Sequence, residues 1–350
     1  MLAVWYACAL PTVGCVLSVP AFDPGLGGVV REKLSRRFRR HARELPWRVA
    51  DRLVETRLIA PLRTRRYCGA LRRHRSSLPV MDGGRIEIVH ALRARGVAQT
   101  DLGALALPGS RAMFETARAL IEKWADGLRQ QASDGIDFLM VPPAELMAHP
   151  QIYRFGLNPR LLEIVESYIG LPIGYDGVTL QYTVADGREA STRLWHRDRE
   201  DRHMIKLVIY LTDVAPTGGP FQLLPSSGSS NRAPGRPAGF YLDRHEAADL
   251  DRSDTAVQPI TCEGQAGTTL FADTAHHFHR GKPATRQDRA ALFFSYFARV
   301  PQRPYFCARS GLSRLQIAAL VEGLTPTQQA VALWQQALPW RWRFIPTSAT

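Results

Sequence analysis

The sequence predicts a mainly β fold with flanking α-helices: a double-stranded β-helix of the jelly-roll, cupin-like kind, with helices before and after it. Three observations lead there. Short segments rich in β-branched and aromatic residues follow one another from 178 to 298, Gly/Pro-rich turns separate them, and helical spacing of apolar residues is confined to the flanks. With 350 residues the chain can bury a sizeable core. We read it as a basic, partly helical N-terminal region over 1–105, a jelly-roll domain with supporting helices over 106–305 and a C-terminal helical extension over 306–350.

Residues 2–19 are apolar but lack a basic start and a small-residue cleavage site, so they read as a leader rather than a signal peptide. Pro20 would end the run before it served as a spanning helix. Residues 29–62 read as one or two basic helices broken near Pro46. Their thin apolar stripe of Val30, Leu34, Phe38 and Ala42 would dock on the neighbouring domain or touch an anionic membrane surface. The formal charge is +13, yet the chain has only four lysines (33, 123, 206 and 282), so 41 of its 45 basic residues are arginine. Such an imbalance reflects codon usage more than a polyanionic partner. No aromatic-plus-basic motif accompanies the charge, and nucleic-acid binding is not expected. Five scattered cysteines without a C-x-x-C pair argue against a disulfide framework or a structural zinc site, and for a reducing cytoplasm.

Met113, Phe114, Ala117, Leu120, Ile121, Trp124 and Leu128 recur at helical spacing and predict an amphipathic helix over 110–130. Asn158 as cap, Pro159 in the first turn and Gly170 as left-handed stop delimit a second helix. Strands are expected over 178–185, 204–214, 220–226, 267–274 and 289–298, with Pro216–Pro220 as a hairpin turn. The polar stretch 227–262 reads as a functional loop over one mouth of the barrel, and helices around 313–322 and 326–337 close the chain.

Trp195-His196-Arg197-Asp198 is expected to end a strand. With a period of two, His196 and Asp198 share a face about 7 Å apart, so an imidazole and a carboxylate can converge on one ion. A third ligand from a distant strand would complete the two-His, one-carboxylate triad associated with non-haem Fe(II) oxygenases. After the strand 267–274 come His276, His277 and His279, any of which could be that ligand. Arg289 opens the next strand ten positions after His279. A guanidinium on an apolar strand demands a carboxylate, and a dicarboxylate that also chelates the metal would supply one. Arg286, in the preceding turn, competes with Arg289. Gly281 favours His279, because a turn there lets the chain leave the metal. Lys206 shares parity with Val208 and Tyr210; it either faces the interior and assists a cosubstrate carboxylate or solubilises an edge strand. Gln181 is a candidate supporting polar group, whereas Asp201, His203, His245 and Asp273 read as surface residues.

From 158 to 298 the chain resembles the phytanoyl-CoA dioxygenase family of Fe(II)/2-oxoglutarate oxygenases. The resemblance rests on NPRLLEIVESYIG, WHRD, KLVIYLTDVAPTGGPFQLLPSS, GTTLFADTAHHFHRG and DRAALFFSYF in that order. It implies iron held by His196, Asp198 and His279, 2-oxoglutarate anchored by Arg289, and O2 as oxidant, with hydroxylation or desaturation coupled to release of succinate and CO2. A halogenase would need a small residue at Asp198. The sequence departs from the family at Pro225-Ser-Ser-Gly-Ser, where a Pro-Gly-Ser-His ending is usual; the departure falls on the substrate-side loop and outside the metal ligands. The expected partner is a small-molecule or carrier-bound substrate, with no nucleic acid and no stable membrane insertion, in a monomer or weak homodimer. The rival readings are a non-catalytic interaction protein with a basic arm and a cupin-like metal enzyme without 2-oxoglutarate.

Overall fold

The computed structural model of the chain describes residues 45–54, 56, 60–81, 83–225, 240–242, 258–340, 342 and 345. By internal contacts the chain divides into 1–45 and 46–350, and every described residue except Leu45 lies in the second unit. The expected leader, the stripe from Val30 to Ala42, most of the 227–262 loop and His245 lie outside the described residues.

The chain is helical over 45–54; the residues before 45, on which a break near Pro46 would have to be judged, lie outside the described residues. Two further helices follow in the region that the sequence left unassigned, α1 (Ala60–His74) and α2 (Gly83–Arg95). Arginines crowd α1, which buries no residue fully; α2 buries only Ile88, Val89 and Leu92. That thin apolar face explains why the pattern was hard to read. After α2 comes β1 (Val97–Asp101), then α3 (Ser110–Ser133), which buries Met113, Ala117, Leu120, Ile121, Leu128 and Ala132 along one stripe. The short β2 (Leu139–Met140), α4 (Ala144–Ala148) and α5 (Pro150–Phe155) lead to α6 (Pro159–Ile169). The Asn158 side chain accepts from the Arg160 N–H at 3.0 Å. At the other end Gly170 adopts φ 76°, and its N–H reaches the Glu166 carbonyl.

The remaining strands are β3 (Ile173–Thr183), β4 (Ile205–Tyr210), β5 (Phe221–Leu223), β6 (Ile260–Cys262), β7 (Thr268–Asp273), β8 (His279–Gly281) and β9 (Arg289–Ala298). They form two antiparallel sheets, one ordered β1-β7-β4-β9-β3-β2 and one ordered β6-β5-β8. Helices α7 (Arg314–Leu320) and α8 (Pro326–Ala332) close the chain, each opened by a capping box, Ser313 with Gln316 and Thr325 with Gln328. Among the described residues helices outnumber strands in length. The fold is therefore a mixed α and β arrangement rather than mainly β. No described helix is long and apolar enough to cross a membrane.

The large sheet buries both faces. Ile205, Leu207, Ile209, Leu292 and Phe294 pack against the helices, while Val208, Tyr210, Leu270, Ala272 and Ala291 meet Phe221, Leu223 and Cys262 of the small sheet. Alternate residues of β4 and β9 thus point into the space between the sheets, and Lys206 and Arg289 share that parity. Lys206 stands on β4 between β7 and β9, which excludes the edge-strand alternative. Pro216–Pro220 is not a hairpin either, because β4 and β5 belong to different sheets. It carries the chain from one to the other through Gly219 at φ 73°, where an added Cβ would stand 2.7 Å from the Lys282 carbonyl oxygen.

A bulge interrupts β3. Tyr175 pairs with Tyr296 and Gly177 with Ser295, leaving Asp176 without a partner in the ladder.

Candidate metal centre

The expected strand ending at Asp198 is not formed. After β3 the chain loops and makes a single 3-10 turn at Ser191–Arg193, with Ser191 at φ 52°. It then runs extended past Trp195, which packs with Leu224 and Phe278. His196 forms an isolated antiparallel bridge with His279: the His196 N–H donates to the His279 carbonyl at 3.0 Å and the His279 N–H returns the bond at 2.9 Å. The Asp198 N–H donates to Thr274 at 2.9 Å. Backbone pairing thereby joins His279 to His196 and Asp198, which lie far from it in sequence.

Ligand atoms of His196, Asp198 and His279 all lie within 4.8 Å of one another, and the residues are 7%, 4% and 3% exposed. The two rings are 4.2 Å apart between centroids. Nδ1 of His196 lies 2.7 Å from the Leu194 carbonyl and Nδ1 of His279 lies 3.4 Å from the His277 carbonyl. A carbonyl only accepts, so each Nδ1 carries the proton and each Nε2 keeps its lone pair for a metal. Burial pushes His196 down to about 4 and, with the neighbouring His196 ring, holds His279 well below its ordinary value. Both rings are then neutral donors at physiological pH.

Asp198 stands between two cations. Oδ1 accepts from Arg309 Nη2 at 2.7 Å, and Lys206 Nζ lies 2.7 Å from Oδ2. Burial alone would raise this carboxyl; Arg309 and Lys206 hold it well below the usual carboxylate range. Oδ2 is buried, and the Lys206 ammonium beside it is its one charged neighbour from β4. Oδ2 lies 3.9 Å from His279 Nε2. Two imidazole nitrogens and one buried carboxylate oxygen fit a divalent transition metal of borderline softness, iron included.

The other sequence candidates are placed as follows. His276 stacks on His203 at 5.5 Å, and the His277 ring lies over Gly96. Residues 274–278 form a turn, so His277 and His279 do not share a strand face, and neither His276 nor His277 belongs to the cluster. Arg286 is exposed, whereas Arg289 is 6% exposed. The Arg289 guanidinium donates to the Gly219 carbonyl and, at 3.2 Å, to Thr183 Oγ1. No carboxylate among the described residues pairs with it, and burial lowers its pKa. Gly281 ends β8 rather than opening a turn, and its bare Cα makes room for Arg289: an added Cβ would stand 2.8 Å from Nη2. Gln181 donates to Thr179 Oγ1 at 3.0 Å and makes no hydrogen bond to the ligands.

Two residues read as surface groups are structural. Asp273 is fully buried and accepts from Tyr168 Oη at 2.9 Å and from His203 at 2.6 Å. Asp201 accepts the backbone N–H groups of Arg202, Ala298 and Gln302. Three residues at the site were not singled out. Arg309 and Glu200 lie behind Asp198, and the half-exposed Tyr241 stacks on His196 at 5.9 Å between centroids. A single sequence carries no signal for a contact such as Asp198–Arg309, which spans 111 positions.

No family model matches the chain, and no curated protein does. Among solved structures it is similar to the non-heme alpha ketoglutarate dependent epimerase SnoN from nogalamycin biosynthesis, at 14% identity and a TM-score of 0.37 over 62% of this chain and 83% of that one. It is similar to HygX from Streptomyces hygroscopicus with nickel and 2-oxoglutarate bound, at 17% identity and a TM-score of 0.40 over 63% of this chain and 88% of that one. AviO1 from Streptomyces viridochromogenes Tue57 is similar at 14% identity and a TM-score of 0.41, over 62% of this chain and 96% of that one.

Proposed function

We propose that this chain is an Fe(II)- and 2-oxoglutarate-dependent oxygenase of the phytanoyl-CoA dioxygenase kind, hydroxylating or desaturating an unactivated C–H bond of a small-molecule or carrier-bound substrate in the cytoplasm. The observation that carries the reading is the buried trio of His196, Asp198 and His279 with ligand atoms within 4.8 Å. The strand order supports a double-stranded β-helix, with β3-β9-β4-β7 facing the His196 segment, β8, β5 and β6.

Iron would be held by Nε2 of both histidines and by Oδ2 of Asp198. With 2-oxoglutarate and O2 bound it supplies the oxidising power, 2-oxoglutarate being converted to succinate and CO2. Arg289 would receive the distal carboxylate. It lies on the interior face beside Gly281, two residues and about 7 Å along β8 from His279. Lys206 neutralises Asp198 and lies close enough to turn to a cosubstrate carboxylate. Gln181 would support the site from β3. We assign no nucleic-acid or membrane partner, and propose a monomer or weak homodimer.

Anaerobic Fe(II) titration followed by assay of 2-oxoglutarate conversion to succinate tests the reading. Stoichiometric binding and turnover that is lost in His196→Ala are expected; a wild-type protein that binds no Fe(II) overturns it. One observation favours a second reading, a metal-free interaction scaffold: the ammonium of Lys206 already stands at the oxygen that a metal would use. The same titration separates the two.

A further inference from the structure

We propose that Arg309, from the segment after the barrel, is a positioning residue of the metal centre that holds Asp198 to one-oxygen coordination. The inference rests on the metal reading above.

The device begins at the β3 bulge. Asp176, outside the ladder, accepts the backbone N–H of Arg309 through Oδ2 at 3.3 Å. Beside it Gly177, at φ 98°, lets Ser310 close in: an added Cβ there would stand 2.6 Å from Ser310 Cβ. Residues 309 and 310 are thus seated on the outside of one strand, and the Arg309 side chain is aimed at the metal ligands. Its Nε donates to Glu200 Oε1 at 2.6 Å and its Nη2 to Asp198 Oδ1 at 2.7 Å. Glu200 is 2% exposed, and its Oε2 accepts the Arg199 N–H at 2.8 Å, which fixes it in turn. The planar guanidinium therefore bridges two buried carboxylates in a set geometry, which a flexible ammonium would hold less firmly.

The consequence is chemical. A free carboxylate can offer a metal one oxygen or two. With Oδ1 engaged by Arg309, Oδ2 is the oxygen on the side of His279, 3.9 Å from its Nε2, and the Lys206 ammonium 2.7 Å from Oδ2 has to turn aside for a metal to use it. Three protein donors then leave three of six positions open, whereas a two-oxygen Asp198 would close one of them.

The test uses Mn(II) alone, bound to the full chain, with water-proton relaxivity per bound ion as readout. In Arg309→Met, Asp198 is expected to chelate through both oxygens, and relaxivity should fall by about a third as one of three water positions is lost. Arg309→Lys, which keeps a cation within reach of Oδ1, should recover most of it. The double variant Arg309→Met/Glu200→Gln removes the partner charge as well, so that folding is not burdened by an orphaned carboxylate, and should show the same fall. Relaxivity equal to wild type in either Met variant overturns the inference, as does a Lys variant that falls as far as the Met one. A wild-type chain that binds neither Mn(II) nor Fe(II) overturns the metal reading itself, which is a different outcome.

Discussion

Two buried cations face the space between the sheets, and the fold treats them differently. Lys206, on β4, has Asp198 Oδ2 at 2.7 Å. Arg289, on β9, has among the described residues the Gly219 carbonyl and the Thr183 hydroxyl and no carboxylate. Burying a guanidinium without a counter-ion costs several kcal/mol, and a chain selected for stability alone would have placed a carboxylate there. The difference teaches which charge the described chain completes for itself and, on the proposed function, which it leaves for an incoming anion.

The most severe way to break that comparison is at the metal end. Asp198→Ala, His196→Ala or His279→Ala removes one of three donors and should abolish stoichiometric Fe(II) binding in an anaerobic titration. His276→Ala and His277→Ala should retain it; the reverse pattern would move the distal ligand. Next in size is Arg289→Ala, which should weaken 2-oxoglutarate by at least about thirtyfold, roughly 2 kcal/mol, with iron retained. Arg286→Ala should change nothing, and a loss confined to Arg286→Ala would place the anchor in the turn.

Lys206→Met sharpens the contrast from the other side. With the competing ammonium gone from Oδ2, metal affinity should rise by about tenfold; a fall would show that Lys206 supports the ligand rather than competes for it. The smallest effect concerns Asp176, pushed up to about 8 by burial and by Glu200. The folded chain keeps this proton while the unfolded chain releases it near pH 4. Its contribution is therefore present below about pH 4 and lost as the pH rises towards 8. Urea unfolding at pH 5 and pH 8 should show a smaller pH difference in Asp176→Asn than in wild type, and parallel behaviour would mean that Asp176 is ionised in the fold.

Strand β9 was legible to the residue, because a run of aromatic and aliphatic side chains between Asp288 and Arg299 has clear ends. So was α6, delimited by Asn158 and Gly170. The pairing of His196 with Asp198 could be anticipated from spacing, although a single backbone bridge and not a strand presents them. What stayed hidden depends on distant contacts. β1 looks like the end of a basic region until it pairs with β7. Asp273 looks like a loop acid until Tyr168 and His203 enclose it. Arg309 is one arginine among 41, and only the bulge at Asp176 gives it a direction.

The bare Cα of Gly281 has a consequence for inheritance. Every missense change at a glycine codon adds at least a Cβ, and at this position that atom would stand 2.8 Å from Arg289 Nη2. The guanidinium is the far end of a flexible side chain, so it would yield before the backbone did. On the proposed function, a damaging allele at codon 281 should therefore yield a normally abundant, iron-loaded protein blind to its cosubstrate, a lesion that screens for expression or thermal stability would pass over.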